Sequence, residues 1–275
     1  MTTKDLNKKV ALKQSKSYYG EDRLVLKGNH LFGVIDGATP LYKNGSPKQI
    51  GSNNKTWASW LVSTLKRNLE KGSDSIYEVF ENTSKMLYDK FTSVNPKDKA
   101  YFPSCNFAFA EFDEEKEMVT ITQIGDCEAF VKFKNNKFER IMQPELYALD
   151  AYAISEMVKR GGKKDSIMDI LRYNRGLMNE ENGYASYTLS SNPNFKYTIK
   201  TYNLADIEEI YLYSDGIGQA FDELKITSSP EELFNKYSNI NDIVSDIVTV
   251  ANTDKDLKKY PRFKKIDDIS IIKLY

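Results

Sequence analysis

The stretch LFGVIDGATP, Leu31 to Pro40, runs apolar as far as Ile35 and then meets an aspartate, a glycine and a short turn. Such a run reads as a strand buried on both faces. Ending it on a carboxylate puts a charge at the rim of a core, where it needs a partner. The preceding RLVLK is joined to it through Lys27-Gly28-Asn29, so the two segments are expected to form a hairpin.

The same ending recurs along the chain. VIDG, IGDC and YSDG set Asp36, Asp126 and Asp215 behind strongly apolar strands, each beside a glycine. Asp267 and Asp268 open the final strand in IDDISII, and Glu21 and Asp22 open the strand that leads into the first hairpin. If the strand ends face one side, these acids converge. Convergent carboxylates without partners raise one another's pKa, and the usual relief is a divalent cation. Ligands that are all oxygen select magnesium or manganese over zinc or copper. A glycine beside the ligand lets the backbone turn sharply and offers its carbonyl to the ion.

Two helical patterns follow the first hairpin, Thr56 to Glu70 and Ser75 to Phe91, punctuated by Gly72-Ser73-Asp74. CNFAFAEFD, MVTITQIGD and EAFVKFKNNKFERI then read as an antiparallel meander. Pro144 to Gly162 and Ser166 to Met178 are helical in period. YASYTLSS, FKYTIKTYNL and EEIYLYSDG are strands again, SPEELFNKYS and INDIVSDIVTVAN helices, and DDISIIKLY closes the chain as a strand. This order predicts a single α+β domain over 1–275, with sheets inside and helices outside.

Composition narrows the chemistry. The 275 residues carry 39 Lys+Arg and 39 Asp+Glu, so no global field draws the chain to nucleic acid or to an anionic membrane. Cys105 and Cys127 have neither zinc spacing nor the density of a disulfide scaffold, and Cys127 is expected to be buried rather than reactive. The N-terminus has no apolar targeting core, and no uncharged run approaches the roughly 18 residues of a membrane span. A cytoplasmic protein that acts as a monomer is the expectation. His30 is the only histidine, which removes histidine triads, Cys-His dyads and His-ligated zinc unless that one residue serves them.

The segments GED (Gly20 to Asp22), GVIDGAT (Gly33 to Thr39), IGDCEAF (Ile124 to Phe130), LYSDGIGQAF (Leu212 to Phe221) and DDISIIKL (Asp267 to Leu274) resemble the metal-dependent protein phosphatases of the 2C type, in family order and over nearly the whole chain. The resemblance implies a four-layer α-β-β-α sandwich, two antiparallel sheets flanked by helix pairs. It implies two manganese or magnesium ions, with a third in some members. Asp36 would bridge the pair, with Glu21 and the Gly37 carbonyl on one ion and Asp215 and Asp267 on the other. Asp126 would serve the third ion, and Asp22 and Asp268 would act behind the ligands. The implied reaction is hydrolysis of phosphoserine or phosphothreonine in a protein substrate, by water or hydroxide shared between ions about 3.5–4 Å apart.

Two positions depart from the family. Ala38 stands where many members place a proton-donating histidine, and Ser17 where an arginine grips phosphate; Lys16 is the nearest substitute, although an ammonium lacks the guanidinium fork. Tyr147 to Tyr187 corresponds to the family's variable flap, with Arg172 and Arg175 as candidate substrate contacts and as ordinary solvated helix charges in the plainer reading. Asp256 to Lys265 reads as a solvated basic loop, with attraction of an acidic phosphopeptide as the alternative. An aspartyl-phosphate mechanism of the haloacid-dehalogenase kind is not supported, because Val34 stands where its Asp-x-Asp motif would begin. The alternative from another class is a catalytically idle module that binds a protein partner through the same fold.

Overall fold

The computed structural model describes residues 6–14, 20–38, 41, 56–72, 75–93 and 101–275. The first sheet runs β1 (Lys8–Lys13), β11 (Ile269–Leu274), β10 (Ile207–Tyr213), β6 (Glu128–Phe133), β7 (Phe138–Ile141). The second runs β2 (Arg23–Lys27), β3 (Leu31–Ala38), β4 (Ser104–Asp113), β5 (Met118–Ile124), β9 (Thr198–Asn203), and β8 (Tyr187–Thr188) adds to β4. Every pairing between these strands is antiparallel.

The two-residue period of the strands divides their side chains between layers. Phe32 and Val34 of β3 meet Ala129 and Val131 of β6 and Leu212 of β10 in the core between the sheets. Leu31 and Ile35 face the other way, onto α1 (Trp57–Lys71) and α2 (Ile76–Thr92), whose Leu61, Leu65 and Phe80 complete an outer core. On the far side, Tyr211, Tyr213 and Ile271 pack under α5 (Asp215–Asp222), α6 (Pro230–Lys236) and α7 (Ile240–Thr253). The layers are those of the α-β-β-α sandwich expected above.

Capping follows the sequence. Thr56 accepts from Ser59 N at 3.0 Å to start α1, and Ser75 with Glu78 forms a reciprocal capping box on α2. Between β7 and β8 the chain builds α3 (Pro144–Lys159), a short 3-10 turn and α4 (Met168–Gly176) around a small core of Ala153, Met157, Ile167 and Ile170. This is the segment read as a flap. Among the described residues no helix is long and apolar enough to cross a membrane.

Two boundaries differ from the sequence reading. Asp36 does not end its strand: β3 continues through it to Ala38, because β4 keeps pairing, Asp36 with Asn106 and Ala38 with Ser104. Asp215 belongs to a helix, as the first residue of α5 behind the Ser214 cap.

Candidate metal centre

Antiparallel pairing explains why distant acids meet. The start of β2 lies beside the end of β3, and the start of β11 beside the end of β10, so Glu21-Asp22, Asp36, Asp215 and Asp267-Asp268 reach the same open edge of the sandwich. Asp36 follows Phe32 and Val34 in strand period and inherits their orientation toward the space between the sheets. Asp126 arrives from the turn between β5 and β6.

Glycines bring these backbones together. A Cβ on Gly37 would stand 3.0 Å from Glu21 Cβ and 3.1 Å from Val62 Cγ1, so a side chain there would press tightly on both neighbours. A Cβ on Gly216 would fall 2.0 Å from the Asp268 carbonyl oxygen, which is how α5 begins directly against β11. Gly125 has φ +75° and passes over Asn106, where a Cβ would collide at 2.1 Å. Asn106 Nδ2 in turn donates to Asp126 Oδ1 at 2.6 Å and is itself oriented by Ser186 Oγ, 2.7 Å from its Oδ1.

The pocket's electrostatics are those of crowded acids. Burial pushes Asp36 well above the ordinary carboxylate range, and the charges of Asp215, Asp22, Asp126 and Asp267 push further. Asp215 is raised in the same way, by burial and then by Asp267 and Asp126. Asp22, fully buried, is pushed up to about 7 by burial, while the Ser270 and Ser214 hydroxyls ease its charge. Those hydroxyls lie close without good hydrogen-bond geometry: both Asp22 oxygens, and Asp215 Oδ1, are buried with no hydrogen-bond partner. Desolvated carboxylate oxygens of this kind cost free energy unless a proton or a cation meets them.

The remaining candidates are placed as follows. Glu21 Oε1 accepts from Thr56 Oγ1 at 2.5 Å, and Glu21 N donates to Asp268 Oδ2 at 2.6 Å, so Asp268 clamps the backbone that carries Glu21. Asp267 Oδ1 accepts from Asp268 N at 2.8 Å and from Lys264 Nζ at 2.7 Å. Lys16 and Ser17 lie outside the described residues.

Arg175 is not a solvated helix charge. It is 8% exposed, with Nη1 donating to Ser104 Oγ at 2.7 Å and Nη2 to the Ala38 carbonyl at 3.3 Å, so it braces the strand ends beneath Asp36. Arg172 sits on the same helix, α4, three residues earlier. The basic loop is also misread by its sequence: Arg262 is fully buried against Asp254 at 2.9 Å, and Lys264 reaches the acids. Alternating charge and aromatic residues in KKYPRFKK carried no sign of which cations turn inward. Cys127 is buried as expected, and burial raises its thiol.

A cleft of about 750 Å3 opens from the pocket between α3, α5 and the segment before β11. Asp126, Asp215 and Asp267 form its acidic end, Ile154 and Phe263 part of its apolar wall. Asp150 and Glu223 also line it, each pushed up to about 7, first by burial and, for Asp150, by the neighbouring charges of Asp126 and Glu223. Neither was singled out from sequence, since both look like ordinary helix acids.

Among the described residues, no group of three or more His, Cys, Asp or Glu side chains is arranged to hold a metal ion as it stands. The donor set nevertheless fits a hard cation. Magnesium typically takes only one or two carboxylates and completes its shell with water, and the orphaned oxygens of Asp22 and Asp215 supply the unmet demand for positive charge.

No family model matches the sequence, and no curated protein does. Solved structures do. A bacterial serine phosphatase superposes with a TM-score of 0.55 at 13% identity, covering 98% of this chain and 97% of that one. The serine/threonine phosphatase Stp1 from Staphylococcus aureus gives 0.54 at 14% identity, with 98% and 94% covered. RsbX in complex with magnesium gives 0.51 at 10% identity, again with 98% and 94% covered. Likeness across whole chains at such low identity is likeness of architecture, and the chain has the fold of the phosphatase 2C type.

Proposed function

We propose that this protein is a metal-dependent phosphomonoesterase acting on phosphoserine or phosphothreonine in proteins. The observation that carries the reading is the delivery of acids from five separate segments to one edge of the sandwich, where buried oxygens of Asp22 and Asp215 have no partner. The neighbours of the same fold named as serine or serine/threonine phosphatases support the substrate class, and the magnesium in RsbX supports the choice of ion.

Asp36, Asp215, Asp267, Glu21 and the Gly37 carbonyl would hold two manganese or magnesium ions, and Asp126 a third. Such ions activate a water near neutral pH and draw charge from a phosphoryl group. The chain's own part is to fix the carboxylates. Asn106 orients Asp126, the Asp268 side chain holds the Glu21 backbone, and Arg175 braces the Ala38 carbonyl. Ala38 has no proton to give, so the leaving oxygen takes its proton from water in the cleft or from an acid on the cleft wall.

Manganese-dependent hydrolysis of p-nitrophenyl phosphate tests the reading. Turnover is expected in wild type and a loss of at least about 10^3-fold in Asp215→Asn, since removing a metal ligand forfeits several kcal/mol of transition-state stabilisation. A folded protein that binds manganese but turns nothing over across a range of metals would favour the idle partner-binding module.

A further inference from the structure

Lys264 is the one basic side chain that the described structure places in hydrogen-bond contact with a candidate ligand's carboxylate. The segment carrying it is pinned on both sides. Two residues before, Arg262 is fully buried, with Nη1 on Asp254 Oδ2 at 2.9 Å and Nε on the Lys265 carbonyl at 3.1 Å. Three residues after, Asp267 enters the pocket beside β11. Between these anchors Lys264 Nζ donates to Asp267 Oδ1 at 2.7 Å, and the charges of Asp215 and Asp36 add to the attraction. The side chain keeps 51% of its surface accessible and lines the cleft together with Asp126, Asp215 and Asp267.

An ammonium and a divalent ion ask for the same oxygens. Asp267 Oδ1 already serves two donors, Lys264 and the Asp268 N–H, and an ion drawing on that carboxylate meets a positive charge in its way. Once displaced, the ammonium stays tethered within the cleft, where a phosphate dianion would lie next to the ions. Three rotatable donors on a flexible stem suit it to exchange one anion for another.

We infer that Lys264 is an exchange cation: its ammonium occupies Asp267 in the metal-free protein, gives way when a divalent ion binds, and then pairs with the phosphate of the substrate. The inference rests on the metal-centre reading above. It implies that the residue weakens metal binding and strengthens phosphate binding, a pair of opposite effects that a merely structural side chain would not produce.

The test is calorimetry on the full chain. Manganese titrated into metal-free wild type and Lys264→Met is expected to bind about 3- to 5-fold more tightly to the variant, the range of a partly exposed ion pair. Inorganic phosphate titrated into the manganese-saturated proteins is expected to bind more weakly to Lys264→Met by a similar factor. Lys264→Arg, which keeps the charge, should stay near wild type in both, and Lys264→Gln replaces the methionine variant if that fails to fold. Equal manganese affinity in wild type and variant, or equal phosphate affinity, overturns the inference and leaves the metal centre standing. Wild type that binds no manganese overturns both.

Discussion

Asp126 and Glu128 lie two residues apart on the same stretch of chain, the first half-buried and the second fully buried, and the protein provides for them in opposite ways. Glu128 is 0% exposed and fully answered from within: Arg140 forks onto it through Nε and Nη2, both at 2.6 Å, Tyr213 donates from its hydroxyl at 2.6 Å, and the Tyr147 hydroxyl binds the other oxygen. The Asp126 carboxylate faces Asp36, Asp215 and Asp267 and, among the described residues, takes its one side-chain hydrogen bond from the uncharged Asn106 amide. The two clusters even share their strands, since Tyr213 of the first precedes Asp215 of the second. A buried carboxylate whose hydrogen bonds and charge are met by its own chain serves as scaffold, and one left short of them needs a proton or an outside cation.

Breaking the scaffold should have the largest effect on stability. Arg140→Met leaves Glu128 charged and buried with only two phenols, and should cost about 3–5 kcal/mol, read as a lowered midpoint in urea at unchanged slope. Adding Glu128→Leu to it should restore most of the loss, because removing both charges removes the uncompensated one. If the double variant were no more stable than Arg140→Met, Glu128 would not be the scaffold's hub.

What could be read from sequence divides along the same line. Asp36, Asp126 and Asp215 announced themselves because a charge at the end of an apolar run has no local explanation, and glycine beside each narrowed what the turn could be for. Glu128 did not, because EAFVKF reads like any other strand and its partner Arg140 lies across the β6–β7 pairing, opposite Phe130. Lys264 and Arg262 were hidden for a related reason: in a run of basic residues, burial is decided by where Asp254 and Asp267 fall in space. Arg175 stood out in the sequence, but its buried bracing role did not, because Ser104 and Ala38, which it binds, are brought together only by the β3–β4 register. Helix ends were legible where caps are local, as at Thr56 and Ser75, and strand ends were not, because pairing carried β3 past Asp36.

The acid pocket should show itself next, through pH. Asp22 stands at about 7 in the metal-free folded protein against 3.8 unfolded, chiefly through burial. Between those values the native state holds a proton that the unfolded chain has released, so stability falls as pH rises through that window. One such group contributes about 2–3 kcal/mol more at pH 5 than at pH 8. The measurement is the difference in unfolding free energy between wild type and Asp22→Asn across that range, without metal. The substitution should flatten the slope and stabilise the protein at pH 8. A slope unchanged by the substitution would mean that Asp22 is not the crowded acid described.

Tyr147 tests the seam between the two clusters. Its hydroxyl donates to Glu128 and lies 3.4 Å from the Asp126 carbonyl, while its ring packs under the Arg140 guanidinium at 5.7 Å. Tyr147→Phe keeps the ring and the bidentate arginine and removes one hydrogen bond to a charged acceptor, worth about 1.5 kcal/mol. Burial and the Glu128 charge hold the phenol well above its usual range, so no change of ionisation complicates the comparison. If the clusters are separate in energy as they are in chemistry, the variant loses that stability and keeps wild-type manganese affinity. Affinity lost in step with stability would instead mean that the scaffold sets the ligand positions through the backbone of Asp126, because that carbonyl is the one point at which the Tyr147 hydroxyl touches the pocket.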